Sequence, residues 1–163
     1  MTIRPATPAD CPALEAIWAP MIRDTLVTFN SVPRSVADLE AMIAEKAAAG
    51  HGFFVAETAP GRVAGFATYG QFRGGIGYAH TMEHTIILAP EAHGRGLGRA
   101  LMAAVEEHAR AGGAHSMFAG VSSGNAAGVA FHAALGYAEV ARLREVGRKF
   151  DRWLDLILMQ KFL

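Results

Sequence analysis

Three groups of residues in this chain have types and spacing that can do chemistry. The first is His93-Gly94-Arg95-Gly96-Leu97-Gly98-Arg99, which follows the apolar run Ile86-Ile87-Leu88 and opens a helix. Backbone N–H groups at a helix start, with the positive end of the helix behind them, attract phosphate, and glycines let that backbone come close. Arg95 and Arg99 add positive charge without intervening acids, which suits a pyrophosphate. An ordinary Gly-rich turn is the competing reading. Two other phosphate loops are excluded. A P-loop needs Gly-Lys-Ser/Thr, and a dinucleotide fingerprint needs Gly-x-Gly-x-x-Gly with an acid about twenty residues on. Here the glycines are spaced differently, and the next strand, 115–121, runs into Ser122-Ser123.

The second group is His80-Thr81-Met82-Glu83-His84, a match to the His-x-x-Glu-His pattern of some zinc peptidases. That chemistry needs a helix, on which the two histidines lie ~6 Å apart. Thr81, Thr85, Ile86 and Ile87 favour a strand instead, and a strand separates His80 from His84 by ~13 Å, too far to share one metal ion. The expectation is therefore no metal. In strand geometry Glu83 projects to the same face as Thr81, Thr85 and Ile87, opposite His80, Met82 and His84. A carboxylate in the middle of a central strand is costly to leave unpaired, so Glu83 reads as a general base with a raised pKa, against the plainer reading of a rim or ion-paired carboxylate.

The third group is His132, on a short helix seven residues after Asn125. Taken alone, a helical histidine is more often structural, and Asn125 after Ser122-Ser123-Gly124 reads equally well as a helix cap. Phe29 and Trp153 are more often core than contact. The arginines 142, 144, 148 and 152 with Lys149 read as a solvated face that can also attract an acidic ligand.

The elements that must position these groups follow from periodicity. A strand at Thr2–Pro5 leads to a helix start at Thr7-Pro8-Ala9-Asp10, with Leu14, Ile17, Trp18, Met21 and Ile22 at helical spacing. Ser35 opens a second helix that ends at Gly50. From Gly52 the pattern turns to strands: 53–57, 63–72 and 78–88, an antiparallel meander with turns at Pro60-Gly61 and Gly74-Gly75-Ile76-Gly77. A helix then places Leu97, Leu101, Val105 and His108 on one face and closes at Gly112-Gly113. A buried strand 115–121, a short helix 125–135 and strands 140–146 and 153–162 complete the chain. Helices and strands interleave throughout, which predicts one domain, residues 1–163, of mixed α/β sandwich class.

Composition bounds the partners. A chain of 163 residues with 15 basic and 15 acidic side chains has no long-range charge with which to hold nucleic acid or a membrane surface. Its single cysteine, Cys11, excludes a disulfide framework. No apolar run approaches the ~20 residues of a membrane span, and the start lacks a signal-peptide core, so a cytoplasmic location is expected. Glycine is in excess, 18 residues against a usual ~7%.

Taken together, the strand 86–88, the glycine loop and Asn125 before a helix ending in Leu135-Gly136-Tyr137 resemble the GNAT superfamily of acyl-CoA-dependent N-acetyltransferases. His93 replaces the first residue of that family's usual Gln/Arg-x-x-Gly-x-Gly/Ala loop. Segments 78–85, 131–137 and 143–156 are similar to phosphinothricin and methionine sulfone/sulfoximine N-acetyltransferases, with Ala79 where relatives often carry Arg and Ile87 where they often carry Tyr.

The resemblance implies a GNAT-like central, mostly antiparallel twisted sheet flanked by helices, acetyl-CoA as co-substrate, a small-molecule amine as acceptor, and a homodimer. It implies that acetyl-CoA is held by Ile86, Ile87, Leu88, His93, Gly94, Arg95, Gly96, Leu97, Gly98, Arg99 and Asn125. Glu83 is then the base, and His132 orients the substrate or protonates the leaving thiolate. Arg73, Ile76, Gly77 and Tyr78 with Glu83 hold an anionic acceptor walled by Phe29. Two rivals remain at this level. An acetyltransferase for another amine (protein N-terminus, polyamine, aminoglycoside) would want an acidic pocket if its substrate were cationic, and a non-catalytic acyl-CoA-binding domain would not need Glu83.

Overall fold

The computed structural model describes residues 1–163. Seven strands form one sheet in the order β1-β2-β3-β4-β5-β7-β6, comprising β1 (Thr2–Pro5), β2 (Phe53–Ala59), β3 (Arg62–Gln71), β4 (Thr81–Leu88), β5 (Ser116–Ser122), β6 (Ala138–Lys149) and β7 (Arg152–Phe162). Every neighbouring pair is antiparallel except β4 and β5. That pair is parallel because a crossover through helix α3 (Leu97–Ala111) returns the chain to the same end of the sheet. Helices α1 (Cys11–Asp24) and α2 (Val36–Ala48) cover one face, and α3 with the short α4 (Ala126–Ala134) serves the other.

Period-2 alternation decides which side each strand residue serves. Met82 joins the α3 core with Leu101, Met102, Val105 and Met117, whereas Ile87 joins Leu14, Trp18, Phe53 and Phe66 beneath α1 and α2. Ser35 starts α2 as expected. Its hydroxyl accepts from the Asp38 N–H at 3.2 Å, and the Asp38 carboxylate accepts from the Ser35 N–H at 2.8 Å.

Four sequence expectations shift. β4 begins at Thr81 rather than Tyr78, because Ile76–Tyr78 closes a single 3₁₀ turn, with the Tyr78 and Ala79 N–H groups bonded to Gly75 and Ile76 carbonyls. Between β1 and α1, Pro8–Asp10 is likewise a 3₁₀ turn, and α1 proper starts at Cys11. On α3, His108 stays on the side of the stripe but at its exposed edge, its ring 5.6 Å from that of Phe54 and its Nδ1 2.8 Å from the Tyr69 hydroxyl. Glu106 is buried in its stead, tied to Tyr137 Oη at 3.0 Å and Lys161 Nζ at 2.6 Å. Finally, β6 runs on to Lys149. An irregularity between Leu143 and Gly147 lets the strand continue, with Glu145 at φ 52° and its N–H donated to Asp155.

Candidate active site

β4 and β5 pair over only three positions, Thr81↔Ser116, Met82↔Met117 and Glu83↔Phe118, and then part. From His84 onward the edge of β4 that faces β5 is therefore unpaired. The resulting wedge contains a cavity of about 490 Å³ bounded by Ile86–Leu88, the start of α3 and the inner face of α4. A smaller cavity of about 130 Å³ continues into the gap between His84–Ile87 and Gly120–Val121. Ten of the eleven residues expected to hold the co-substrate line the larger cavity; the exception, Arg95, is exposed and lines neither.

The glycines of the loop divide their work. Gly94 at φ 71° and Gly96 at φ 78° take left-handed conformations that other residues adopt only with strain, with open space where a side chain would go. Gly98 has an ordinary backbone, but a Cβ there would sit 3.0 Å from the Phe131 ring and 3.2 Å from Leu88. It is small so that α3, α4 and β4 can meet. No backbone carbonyl accepts from the N–H groups of residues 94–99; the first bond of the helix runs from Ala100 N–H to Gly96. Six unpartnered donors at the positive end of a 15-residue helix fit a pyrophosphate.

Asn125 does both things the sequence left open. Its Oδ1 accepts the Gly128 N–H at 2.9 Å, capping α4, and its side chain lines both cavities. Two turns into that helix, His132 Nδ1 lies 2.7 Å from the Gly128 carbonyl. A carbonyl only accepts, so the proton sits on Nδ1. Burial lowers the pKa of His132, keeping the ring neutral at pH 7, and its buried Nε2 then presents a lone pair with no protein partner. That atom can accept a hydrogen bond but has no proton to give. Of the two roles left open for His132, this geometry supports orientation and not proton donation. His84 stacks on His132 at 5.0 Å, its pKa pushed down to about 3 by burial, while His80 bonds the Gly113 carbonyl at 2.7 Å. The two histidines of the zinc-like motif thus go to different partners.

Glu83 lies on the sheet face expected from its register, between Gly70 on β3 and Phe118 on β5. Glycine recurs beside it. A Cβ on Gly120 would come within 3.3 Å of Glu83 Oε2, so the small residue makes room for the carboxylate at the rim of the gap. Burial raises the Glu83 pKa above the ordinary carboxylate value, and the nearby Lys46 partly offsets it. The carboxylate takes part in no contact ion pair.

The expected acceptor-binding residues do not converge on either cavity. Ile76 and Tyr78 stand on an exposed turn, with Ile76 93% accessible, and Gly77 between them is exposed too. Arg73 rests its guanidinium 5.9 Å from the Phe72 ring centre, and Phe72 stacks at 4.5 Å on Phe118, the neighbour of Glu83. Phe29 lines neither cavity. Its ring lies flat on Gly147, where a Cβ would sit 2.6 Å from it, and Val27 and Thr28 line the cavities instead.

Lys149, expected on a solvated face, is instead buried: its ammonium donates to the carbonyls of Ile22, Thr28 and Asn30 and fixes the 25–35 loop. Only the glycine two residues before it, Gly147, hinted at close packing. Lys149→Met strands these carbonyls and should cost about 2 kcal/mol, read as a lower urea midpoint with an unchanged slope.

Comparison with known proteins agrees with this geometry. Residues 19–137 match the Acetyltransferase (GNAT) family. The chain is 39% identical to the L-methionine sulfoximine/L-methionine sulfone acetyltransferase of Pseudomonas aeruginosa over 159 residues, 98% of this chain and 92% of that protein. Among solved structures it is similar to a ribosomal-protein-alanine N-acetyltransferase from Brucella melitensis, with 40% identity, a TM-score of 0.95 and full coverage of both chains. It is also similar to a phosphinothricin acetyltransferase from Sinorhizobium meliloti solved with acetyl-CoA, at 31% identity and TM-score 0.92, covering 99% of this chain and 88% of that one. With its splayed β4 and β5, its cradle of unpaired N–H groups and these relatives, the chain belongs to the GNAT family and is an acetyl-CoA-dependent N-acetyltransferase.

Proposed function

We propose that the enzyme acetylates the primary amine of a small amino-acid-like acceptor of the methionine sulfoximine, methionine sulfone or phosphinothricin type, by direct attack in a ternary complex. The observation that carries this reading is the line Arg73–Phe72–Phe118–Glu83: a guanidinium and a half-buried carboxylate separated by two stacked rings. One small zwitterion presents its carboxylate, sulfone or phosphinate oxygens to the first and its ammonium to the second. The relatives named above, which act on methionine sulfoximine or sulfone and on phosphinothricin, support the same acceptor class.

Each residue then has a defined task. The N–H groups of Gly94–Arg99 hold the pyrophosphate, and the unpaired edge at Ile86–Leu88 takes the pantetheine arm by main-chain hydrogen bonds. Acetyl-CoA supplies the activated acyl group. The acceptor arrives as an ammonium ion; Glu83 takes one proton, so that an N–H bond breaks, an O–H bond forms and the nitrogen lone pair becomes free to attack. His132 Nε2 accepts a hydrogen bond and orients the reacting group. Backbone N–H groups on β4 stabilise the oxyanion that forms as the nitrogen bonds the carbonyl carbon; its collapse breaks the C–S bond, and coenzyme A leaves as a thiolate that takes up the second proton shed by the nitrogen.

A thiol-release assay with acetyl-CoA against phosphinothricin, methionine sulfone, methionine sulfoximine, polyamines, an aminoglycoside and alanine-starting peptides tests this. Turnover of the first three and little with the rest is expected. The Brucella melitensis relative favours a second reading, acetylation of a protein N-terminus, and preference for the peptides would establish that one in its place.

The same reading has the enzyme as a cytoplasmic homodimer. Supporting the dimer, Val140, Leu143, Val146, Phe150 and Trp153 expose apolar surface along the edge strand β6 and its hairpin with β7. Sedimentation equilibrium should give twice the 17.3 kDa chain mass, and Val146→Asp should halve it.

A further inference from the structure

Glu83 has a neighbour that no sequence pattern connects to it. Lys46 lies in the last turn of α2, and its ammonium rests on Gly70 of β3, the residue directly opposite Glu83 in the β3–β4 register. A Cβ on Gly70 would sit 2.6 Å from Lys46 Nζ, so glycine at this position is what lets the ammonium lie against the sheet. Opposite residues on an antiparallel pair point to the same face. Lys46 and Glu83 therefore share one slot, floored by Gly70 and Gly120. They form no contact ion pair, so the carboxylate oxygens remain free.

We infer that Lys46 is a positioning residue for the base: its ammonium, seated on Gly70, keeps Glu83 ionised in a half-buried slot and disfavours a second positive charge there, so that the acceptor gives its proton to Glu83. This rests on the reading of Glu83 as the base. The electrostatics agree with the geometry, because burial raises the Glu83 pKa and Lys46 lowers it, while Glu83 and Glu45 support the Lys46 charge against its own burial. The other groups facing this slot are few. His51 Nδ1 would lie 3.8 Å from a Gly70 Cβ, and its pKa is lowered by burial, by Lys46 and by His108 of α3. Arg73 stands over Phe72, and β5 and β7 contribute the uncharged Phe118, Gly120 and Leu156.

The test is the pH dependence of kcat/KM at saturating acetyl-CoA for the parent, Lys46→Met, Lys46→Arg and Gly70→Ala. Loss of the cation removes an attraction for the ionised carboxylate, so the Lys46→Met acid limb should move up by about one pH unit, roughly tenfold in rate below the limb. Lys46→Arg should restore the parent profile. Gly70→Ala leaves Lys46 in the chain but displaces its flexible tip, and should move the limb in the same direction by less. The KM for acetyl-CoA should stay unchanged in all three. An unmoved acid limb in both Lys46→Met and Gly70→Ala, or the same shift in Lys46→Arg as in Lys46→Met, overturns the assignment. Near-parent turnover of Glu83→Gln would instead remove Glu83 as the base, whatever the Lys46 variants do.

Discussion

Replacing Glu83 with glutamine is expected to lower kcat by about 10²–10⁴-fold while leaving acetyl-CoA affinity within about twofold. The amide keeps the shape of the side chain and one acceptor oxygen but cannot take a proton from an ammonium ion. The co-substrate cradle, at residues 93–99 and 125, is separate from it, so isothermal titration with acetyl-CoA should show little change. Stability provides the control. A carboxyl group whose folded pKa is raised contributes stability when protonated, below its unfolded value, and that contribution is lost as pH rises through the folded value. At pH 7 the ionised Glu83 is therefore a stability cost, and Glu83→Gln should melt no lower than the parent. The parent kcat/KM should correspondingly show an acid limb above the ordinary carboxylate range, with the rate falling as Glu83 takes up a proton. Turnover by Glu83→Gln within tenfold of the parent would exclude it as the base, and a limb at the ordinary value would mean that burial does not raise its pKa.

The second large effect is expected at Gly96. Its left-handed φ of 78° and the open space beside it mean that Gly96→Asn and Gly96→Asp fit sterically, and both side chains tolerate that conformation better than most. The two variants share the backbone strain and differ by one negative charge beside the unpaired N–H groups. Gly96→Asn should raise the acetyl-CoA Kd a few-fold, and Gly96→Asp about 100-fold, roughly 2.7 kcal/mol, with the difference narrowing in high salt. Equal Kd values for the two would mean that the loop does not hold the phosphates.

Much of this site is written locally in the chain. Alternation along Thr81–Ile87 puts Glu83 on the face with Thr85 and Ile87, and the structure keeps that assignment. The loop from His93 to Gly98 between an apolar strand and an amphipathic helix was legible as an anion cradle, and ten of the eleven residues expected around it line one cavity. Such features depend on neighbours two to four positions apart, where backbone geometry alone decides which side chains share a face. Local signals were misread where two readings have similar periodicity. The alternation beginning at Tyr78 continues a strand pattern, but the backbone at Ile76–Tyr78 closes its own hydrogen bonds in a turn first. On α3 the stripe reached His108, whereas the buried position is Glu106, tolerable only because Tyr137 and Lys161, distant in sequence, satisfy its carboxylate.

The sequence by itself determined most of the elements, the glycine loop that opens α3, the face of Glu83 and, by resemblance, the family. Only the tertiary structure decided the width of the gap between β4 and β5, the acceptor-only state of His132 Nε2, the clamp of Lys149 on carbonyls up to 127 residues away and the placing of Lys46 over Gly70. The physical reason is the same in each case. These are contacts between groups far apart in the chain, and their charge or protonation depends on burial, which exists only once the sheet and its helices have closed around them.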